Sequence, residues 1–418
     1  MAIKMLTLED LELEGKRVFL RVDINTPIHP ETGALMERTR LEEAAVTVKD
    51  LPKSRVVVAS HQGRVGRADY TSLEAHAKAL GEMLGREVEF VPDVFGPEAL
   101  SRIDSLQDGG VLMLDNLRFA AEEIQEYAPA DAEKSFLVKR LGGHVDACVL
   151  DAFSTAHRAS PTIVGFAGLV PTCAGRTVGR ELRMLDRITT VEKGPYVTVL
   201  GGAKVNDRLE AIDALIANGR ADRVLLSGVV GLVFLKAAGK LRGDIGADKE
   251  QKLMIRARQL MDEDPDRFVL PVDVAIRVDG ARSEVDPSQI GSAAQVLDIG
   301  SRSVDRFSHF IKGAGTVFMS GPPGAFEWEE FSLGTEGLLR AMASSLGTTI
   351  ISGGHLSTAL RKYGIHDQID HISTAGGALV QYLAGKRLPL IDALERAAEK
   401  WGHVQHEPLK QEEAPGTP

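Results

Sequence analysis

The sequence predicts an α/β protein of two lobes, each built on a parallel sheet, joined by a connecting helix and hinge. Three observations predict it. Apolar, β-rich runs alternate with runs of helical period throughout, the pattern of parallel strands with crossover helices. The chain has 418 residues, more than one hydrophobic core ordinarily holds. A Gly- and Pro-rich stretch, Gly165–Gly175, interrupts it near the middle and reads as a linker.

Residues 1–175 make the first lobe, with expected strands at Arg17–Val22, Arg55–Ala59, Val111–Leu114 and Ala147–Leu150. Residues 176–190 follow as a connecting helix, because Val178, Leu182 and Leu185 recur at i, i+4 and i+7. The second lobe spans residues 191–389, with strands at Tyr196–Leu200, Arg223–Leu226, Thr316–Met319 and Thr348–Ile351. Residues 406–418 read as a disordered tail. No period of about 20–50 residues repeats, which excludes a solenoid.

Composition narrows the function classes. Hydrophobic residues make up 44% and charged residues 26%, an ordinary globular balance. A formal net charge of −10 argues against nucleic acid as a partner, although local arginine clusters still suit small anions. No apolar run reaches the roughly 18 residues of a membrane span, and the N-terminus lacks an apolar signal core, so a cytoplasmic protein with no membrane partner is expected. The two cysteines, Cys148 and Cys173, read as unpaired thiols and offer no zinc spacing.

Ligands of open parallel sheets bind beyond the carboxyl ends of the strands. In the first lobe those ends read LRVDIN, ASHQGR, LDNLRF and LDAFSTAHR, delivering Asp23, Asn25, His61, Arg64, Arg118 and Arg158. Guanidinium forks match phosphate and carboxylate oxygens, so this edge is a candidate anion site. In the second lobe the ends read VLGGAKVND, LLSGVVG, FMSGPPGAFE and IISGGHLS. Glycine allows close backbone approach, and a helix N-terminus beyond it offers free N–H groups to phosphate. Lys204 follows one glycine pair, where it can meet a phosphate as a point charge. Neither GxxxxGK[ST], nor GxGxxG after a strand, nor GxSxG occurs. The residues alone thus point to an anionic metabolite on one lobe and a nucleotide on the other, with phosphoryl transfer between them.

Nine motifs in order carry a resemblance to phosphoglycerate kinase: RVDINTP, SHQGR, LDNLRF and DAFSTAHR, then LGGAKVND, LPVD, SGPPGAFE, ISGGH and HISTAGGA. The sequence resembles that family over nearly its whole length. The resemblance implies Rossmann-like lobes and reversible phosphoryl transfer between ATP and the carboxylate of 3-phosphoglycerate, giving 1,3-bisphosphoglycerate and ADP. It implies a substrate site of Asp23, Asn25, Arg40, His61, Gln62, Gly63, Arg64, Arg118 and Arg158, with Arg40 also near the transferred group. It implies nucleotide contacts from Lys204, Gly228, Glu327, Gly353, Gly354, His355 and Leu356, a monomer, and a segment 390–405 that returns to the first lobe. Magnesium is implied through the nucleotide phosphates, and its protein ligand is left open.

Three departures stand out. Arg208 lies where many members carry lysine, Ala375 occupies a glycine position in STAGGA, and SGGHL replaces GGGDT, so that His355 stands for an aspartate. The histidine loop resembles the archaeal branch. Because the acceptor is a carboxylate, already ionised at neutral pH, no general base is required. Asp151 is accordingly expected to orient a neighbour, and Arg40, Lys204 and Arg208 to meet charge developing in transfer. A different metabolite kinase would alter the arginine set, and a non-catalytic relative would lose Lys204 or Arg40; the set is intact.

Overall fold

The computed structural model describes residues 3–29, 32–190, 194–241, 251–290, 295–373, 375–383 and 385–402. The chain divides into two compact units, Met1–Arg183 with Arg387–Pro418, and Met184–Lys386.

The first unit is a six-stranded, all-parallel sheet with strands β1 (Arg17–Val22), β2 (Arg55–Ala59), β3 (Glu89–Val91), β4 (Val111–Leu114), β5 (Ala147–Asp151) and β6 (Thr172–Ala174), in the order β3-β4-β2-β1-β5-β6. Both faces are covered by helices, so its strands are continuous apolar runs such as Val56–Val58. The order reverses at β1: the chain leaves toward β2 and comes back on the other side as β5. Loops leaving β1 and β5 diverge there and open a crevice at their carboxyl ends.

The second unit repeats the plan with β7 (Tyr196–Leu200), β8 (Arg223–Leu226), β9 (Phe268–Val269), β13 (Thr316–Ser320), β14 (Thr348–Ser352) and β15 (His371–Ser373), ordered β15-β14-β13-β7-β8-β9. Its reversal lies between β7 and β13. Between β9 and β13 sits an antiparallel sheet of β10 (Val274–Val278), β11 (Ala281–Val285) and β12 (Val296–Ile299), ordered β11-β10-β12. The β10–β11 hairpin turns on Asp279–Gly280, both at positive φ, as a two-residue turn of this kind requires.

Gly165–Gly175 is not the linker that its composition suggests. Phe166, Ala167 and Cys173 are buried, Phe166 stacks on Phe19 with centroids 4.5 Å apart, and Thr172–Ala174 is strand β6 beside β5. The glycines here serve packing: a Cβ on Gly175 would stand 2.4 Å from Asp151 Cγ.

The helix Arg176–Thr190 buries Val178, Leu182 and Leu185. Its first turn is fixed to the first unit. Asp151 accepts from the Val178 N–H at 2.9 Å and from the Thr47 hydroxyl, and Thr47 accepts from the Arg176 N–H at 3.0 Å. Arg180 pairs with Glu43. The division between units therefore falls inside this helix, at Arg183/Met184, rather than at its ends. The helix Pro389–Trp401 belongs to the first unit, packs on β6 and buries Leu390, Leu394 and Ala397, with the Trp401 indole donating to Ala167 O at 2.9 Å. Both cysteines are buried and unpaired. Among the described residues no helix is long and apolar enough to cross a membrane.

Candidate active site

The first unit places its chemistry at the carboxyl edge of the sheet. Beyond β1, Asp23 pairs with Arg40 from the first turn of the helix Thr39–Lys49 and accepts from the Ser154 hydroxyl beyond β5. Asn25 Oδ1 accepts from the Gly63 N–H at 2.9 Å, which joins the β1 and β2 loops. Gly63 sits at φ +64°, and a Cβ there would lie 2.2 Å from Asp69 O, so only glycine fits. Its carbonyl accepts from Arg118.

His61 lies at the centre of this edge and is buried. Its Nδ1 is 3.3 Å from an Arg21 guanidinium nitrogen. A guanidinium can only donate, so Nδ1 accepts and the ring proton sits on Nε2. Burial, and then the charges of Arg21, Arg118, Arg40 and Arg158, push His61 well below the usual imidazole range. The ring is thus a neutral donor. Burial, followed by the charges of Arg158, Arg21 and Arg64, likewise lowers Arg118 to about 10. Five guanidiniums therefore act on one small region, and Asp23 and Glu123 are the carboxylates that bond directly to two of them, Arg40 and Arg21.

Arg21 and Glu123 were not singled out from the sequence. Arg21 lies inside the apolar strand β1, 2% exposed, where it bonds Thr162 Oγ1 at 3.0 Å and Glu123 at 3.5 Å. An arginine at the fifth position of RVFLRV, between Leu20 and Val22, is the available signal, because a buried charge must be paired.

The Gln62 side chain is fully buried and bonded to Thr26, Asp69 and His76, so all its hydrogen-bonding groups are already used within the protein.

In the second unit the glycine turns beyond β7, β8 and β13 pack on one another. Gly201 N–H donates to Ser320 O at 3.0 Å, Gly202 N–H to Pro322 O at 2.9 Å and Gly228 N–H to Pro323 O at 3.1 Å. A Cβ on Gly228 would meet Gly202 N at 2.5 Å. Gly228 thus supports the neighbouring turn and has spent its N–H on Pro323 O, which leaves its Cα and carbonyl for the expected nucleotide contact. Lys204 stands exposed at the start of the helix Val205–Ala217, and Arg208 follows one turn later, with Nε 3.3 Å from Gly201 O.

Beyond β14 the geometry is different. Gly353 has φ +112° and starts the helix Gly354–Lys362 with no side-chain cap. A Cβ at Gly354 would meet nothing within 4 Å, so this helix N-terminus is open. His355 is exposed, with Nδ1 3.7 Å from the Glu327 carboxylate. The Leu356 side chain, by contrast, lies in the core, which leaves only its backbone N–H for the expected nucleotide contact. Among the described residues no three His, Cys, Asp or Glu side chains gather to hold a metal. Asp151, raised to about 6 by burial, is occupied under the helix Arg176–Thr190, as an orienting residue.

Two parallel α/β units, one with a guanidinium-rich edge and one with an open glycine-led helix start, define the class of a two-part enzyme that handles anionic ligands. The family model for phosphoglycerate kinase matches residues 8–386. Phosphoglycerate kinase of Methanothermobacter thermautotrophicus is 40% identical over 403 residues, covering 95% of this chain and 98% of that one. The crystal structure of phosphoglycerate kinase from Pyrococcus horikoshii matches with TM-score 0.89 and 38% identity, covering 95% of this chain and all of the other. That from Coxiella burnetii matches with TM-score 0.76 and 29% identity over 94% of this chain and all of the other. The chain belongs to the phosphoglycerate kinase family and is a kinase.

The two buried histidines give a pH prediction. Burial lowers His76 to about 4. Both His61 and His76 have folded values below their unfolded ones, so the unfolded state binds more protons in between. Their contribution to stability is complete above pH 6.5 and is lost as pH falls; for His76 the window is about 4 to 6.5. Histidine ring resonances of the ligand-free protein followed from pH 8 to 5 should stay at neutral-ring positions for both. A midpoint near 6.5 for either would contradict the burial and charge argument.

Proposed function

We propose that the first unit holds 3-phosphoglycerate and the second holds the nucleotide, in the reversible transfer of a phosphoryl group between ATP and the 3-phosphoglycerate carboxylate. The observation that carries this placement is the convergence of Arg21, Arg40, Arg118 and Arg158 on a neutral, buried His61, with Arg64 beside Arg118. Arg158, Arg21 and Arg64 oppose the charge on Arg118, and an anion bearing a phosphate and a carboxylate relieves that opposition. Arg64, Arg118 and Arg158 would grip the substrate, and His61 would donate from Nε2. Asp23 and Asn25 can accept from its hydroxyl, while Gly63 lets the loop close.

On the second unit, the helix start at Gly353–Gly354 and Lys204 suit nucleotide phosphates, and Glu327 suits the ribose hydroxyls. The carboxylate acceptor has no proton to remove, so the protein's task is alignment and charge stabilisation. Arg40, Lys204 and Arg208 take that second role. Magnesium would enter on the nucleotide phosphates and supply further charge there. Closing motion of the two units is part of the proposal, since transfer requires reacting atoms within about 3–3.5 Å. The family resemblance and unpaired cysteines support a cytoplasmic monomer.

His355 enters this reading as a partner of phosphate oxygens or of a metal-bound water, beside Glu327. Neutral imidazole is a poor ligand for magnesium, which prefers oxygen. His355→Ala should keep its magnesium requirement, measured as the concentration for half-maximal activity. A large rise would mean direct ligation.

The two placements are separable by experiment. Arg64→Ala and Arg158→Ala should each weaken 3-phosphoglycerate binding about ten- to a hundredfold by calorimetry, with nucleotide binding retained. Lys204→Ala should lower kcat by about 10²–10³ and move nucleotide affinity much less. Unchanged 3-phosphoglycerate affinity in both arginine variants would remove them from the site, and a Lys204→Ala effect confined to the KM for ATP would make that residue a ground-state binder.

A further inference from the structure

Gln62 sits between the two loops that carry the proposed substrate residues of the first unit. A carboxamide has two N–H donors and an oxygen with two lone pairs. All four are used. Nε2 donates to Thr26 O at 2.9 Å and to Asp69 O at 3.2 Å. Oε1 accepts from the Thr26 N–H at 3.0 Å, and His76 Nε2 stands 3.1 Å from it. The two carbonyls fix which end of the amide is nitrogen. The oxygen then faces His76, whose Nε2 must carry the ring proton.

His76 lies in the first turn of the helix Glu74–Leu84 and is fully buried. Its Nδ1 has no hydrogen-bond partner. An apolar side chain would fill the same space without leaving a buried acceptor unmatched, so packing alone does not explain a histidine here. What the ring contributes is the single N–H that completes the Gln62 amide.

We propose that His76 and Gln62 are positioning residues for 3-phosphoglycerate, with His76 fixing the Gln62 amide and Gln62 clamping the Asn25–Thr26 loop to the Gly63–Asp69 loop. The clamp is reinforced by the Gly63 N–H donating to Asn25 Oδ1 at 2.9 Å. Arg64 leaves the second loop immediately after the clamped residues, and Asn25 leaves the first immediately before Thr26. Slack in the amide therefore reaches both. The inference rests on the reading of this edge as the 3-phosphoglycerate site.

The test compares His76→Leu, which fills the space without a donor, with His76→Gln, which restores a neutral N–H. His76→Leu should raise the KM for 3-phosphoglycerate about tenfold and leave the KM for ATP within about twofold. His76→Gln should recover most of the loss. If His76→Leu does not fold, Gln62→Met carries the test: it keeps the side chain's length without charge, loses both donors, and should show the same selective rise. Equal losses for both substrates in both His76 variants, or no change in either, would overturn the proposal. If Arg64→Ala and Arg158→Ala weaken 3-phosphoglycerate and the His76 and Gln62 variants do not, the clamp alone is wrong. If the arginine variants have no effect, the substrate reading itself has failed.

Discussion

Positive charge held at close quarters, on one edge of a parallel sheet, is the constraint on which the first unit depends. Arg21, Arg118, Arg40 and Arg158 act on the buried His61 ring, and Arg158, Arg21 and Arg64 act on Arg118. Such an arrangement costs free energy when empty, and the surrounding structure must hold it in place. The holding groups are visible. Glu123 pairs with the buried Arg21, Asp23 with Arg40, and Thr162 and Ser154 tie them together. His61, neutral with its proton on Nε2, adds a donor without adding a sixth charge.

Sheet topology explains why these groups meet. All the strands of the first sheet run one way, so every loop that follows a strand emerges at the same edge. The reversal at β1 separates the loops leaving β1 and β5, and the Asp23–Ser154 contact spans that crevice. The second unit has the same reversal between β7 and β13, yet fills it with backbone. Its glycine turns beyond β7, β8 and β13 interlock, and the open ground lies one strand further on, at Gly353–Gly354 beyond β14. One architecture thus presents a cluster of side chains at the strand ends of one unit and open main chain in the other.

Much of this was legible in the sequence, for physical reasons. The eight inner strands are buried on both faces and announce themselves as apolar runs; five have the expected bounds, and β5, β13 and β14 run one residue further. Strands β3, β6, β9 and β15 have two or three residues, too few to show a pattern. The β10–β11 hairpin carries one local signal, Asp279–Gly280, and its outer strand mixes exposed and half-buried residues instead of forming an apolar run. Gly165–Gly175 misled through composition: its glycines relieve crowding around Phe166 and Asp151 rather than loosen the chain. The candidate site residues follow from the strand-end rule and from resemblance. Their partners do not, since the links from Gln62 to His76 and from Arg21 to Glu123 join residues distant in sequence. Nothing local marks Gln62 as a clamp rather than a ligand contact.

The division of labour between the units is tested most directly by mapping amide and arginine side-chain resonances of the full chain with each ligand alone. With 3-phosphoglycerate and no nucleotide, shifts should concentrate on Asn25, His61 and Gly63 and on the side chains of Arg40, Arg64, Arg118 and Arg158. They should weaken as ionic strength rises, as expected for charge-assisted binding. Gly353 and Gly354 should move only when nucleotide is added. Shifts from 3-phosphoglycerate that centre instead on residues 194–386 would contradict the assignment of the anionic metabolite to the guanidinium edge.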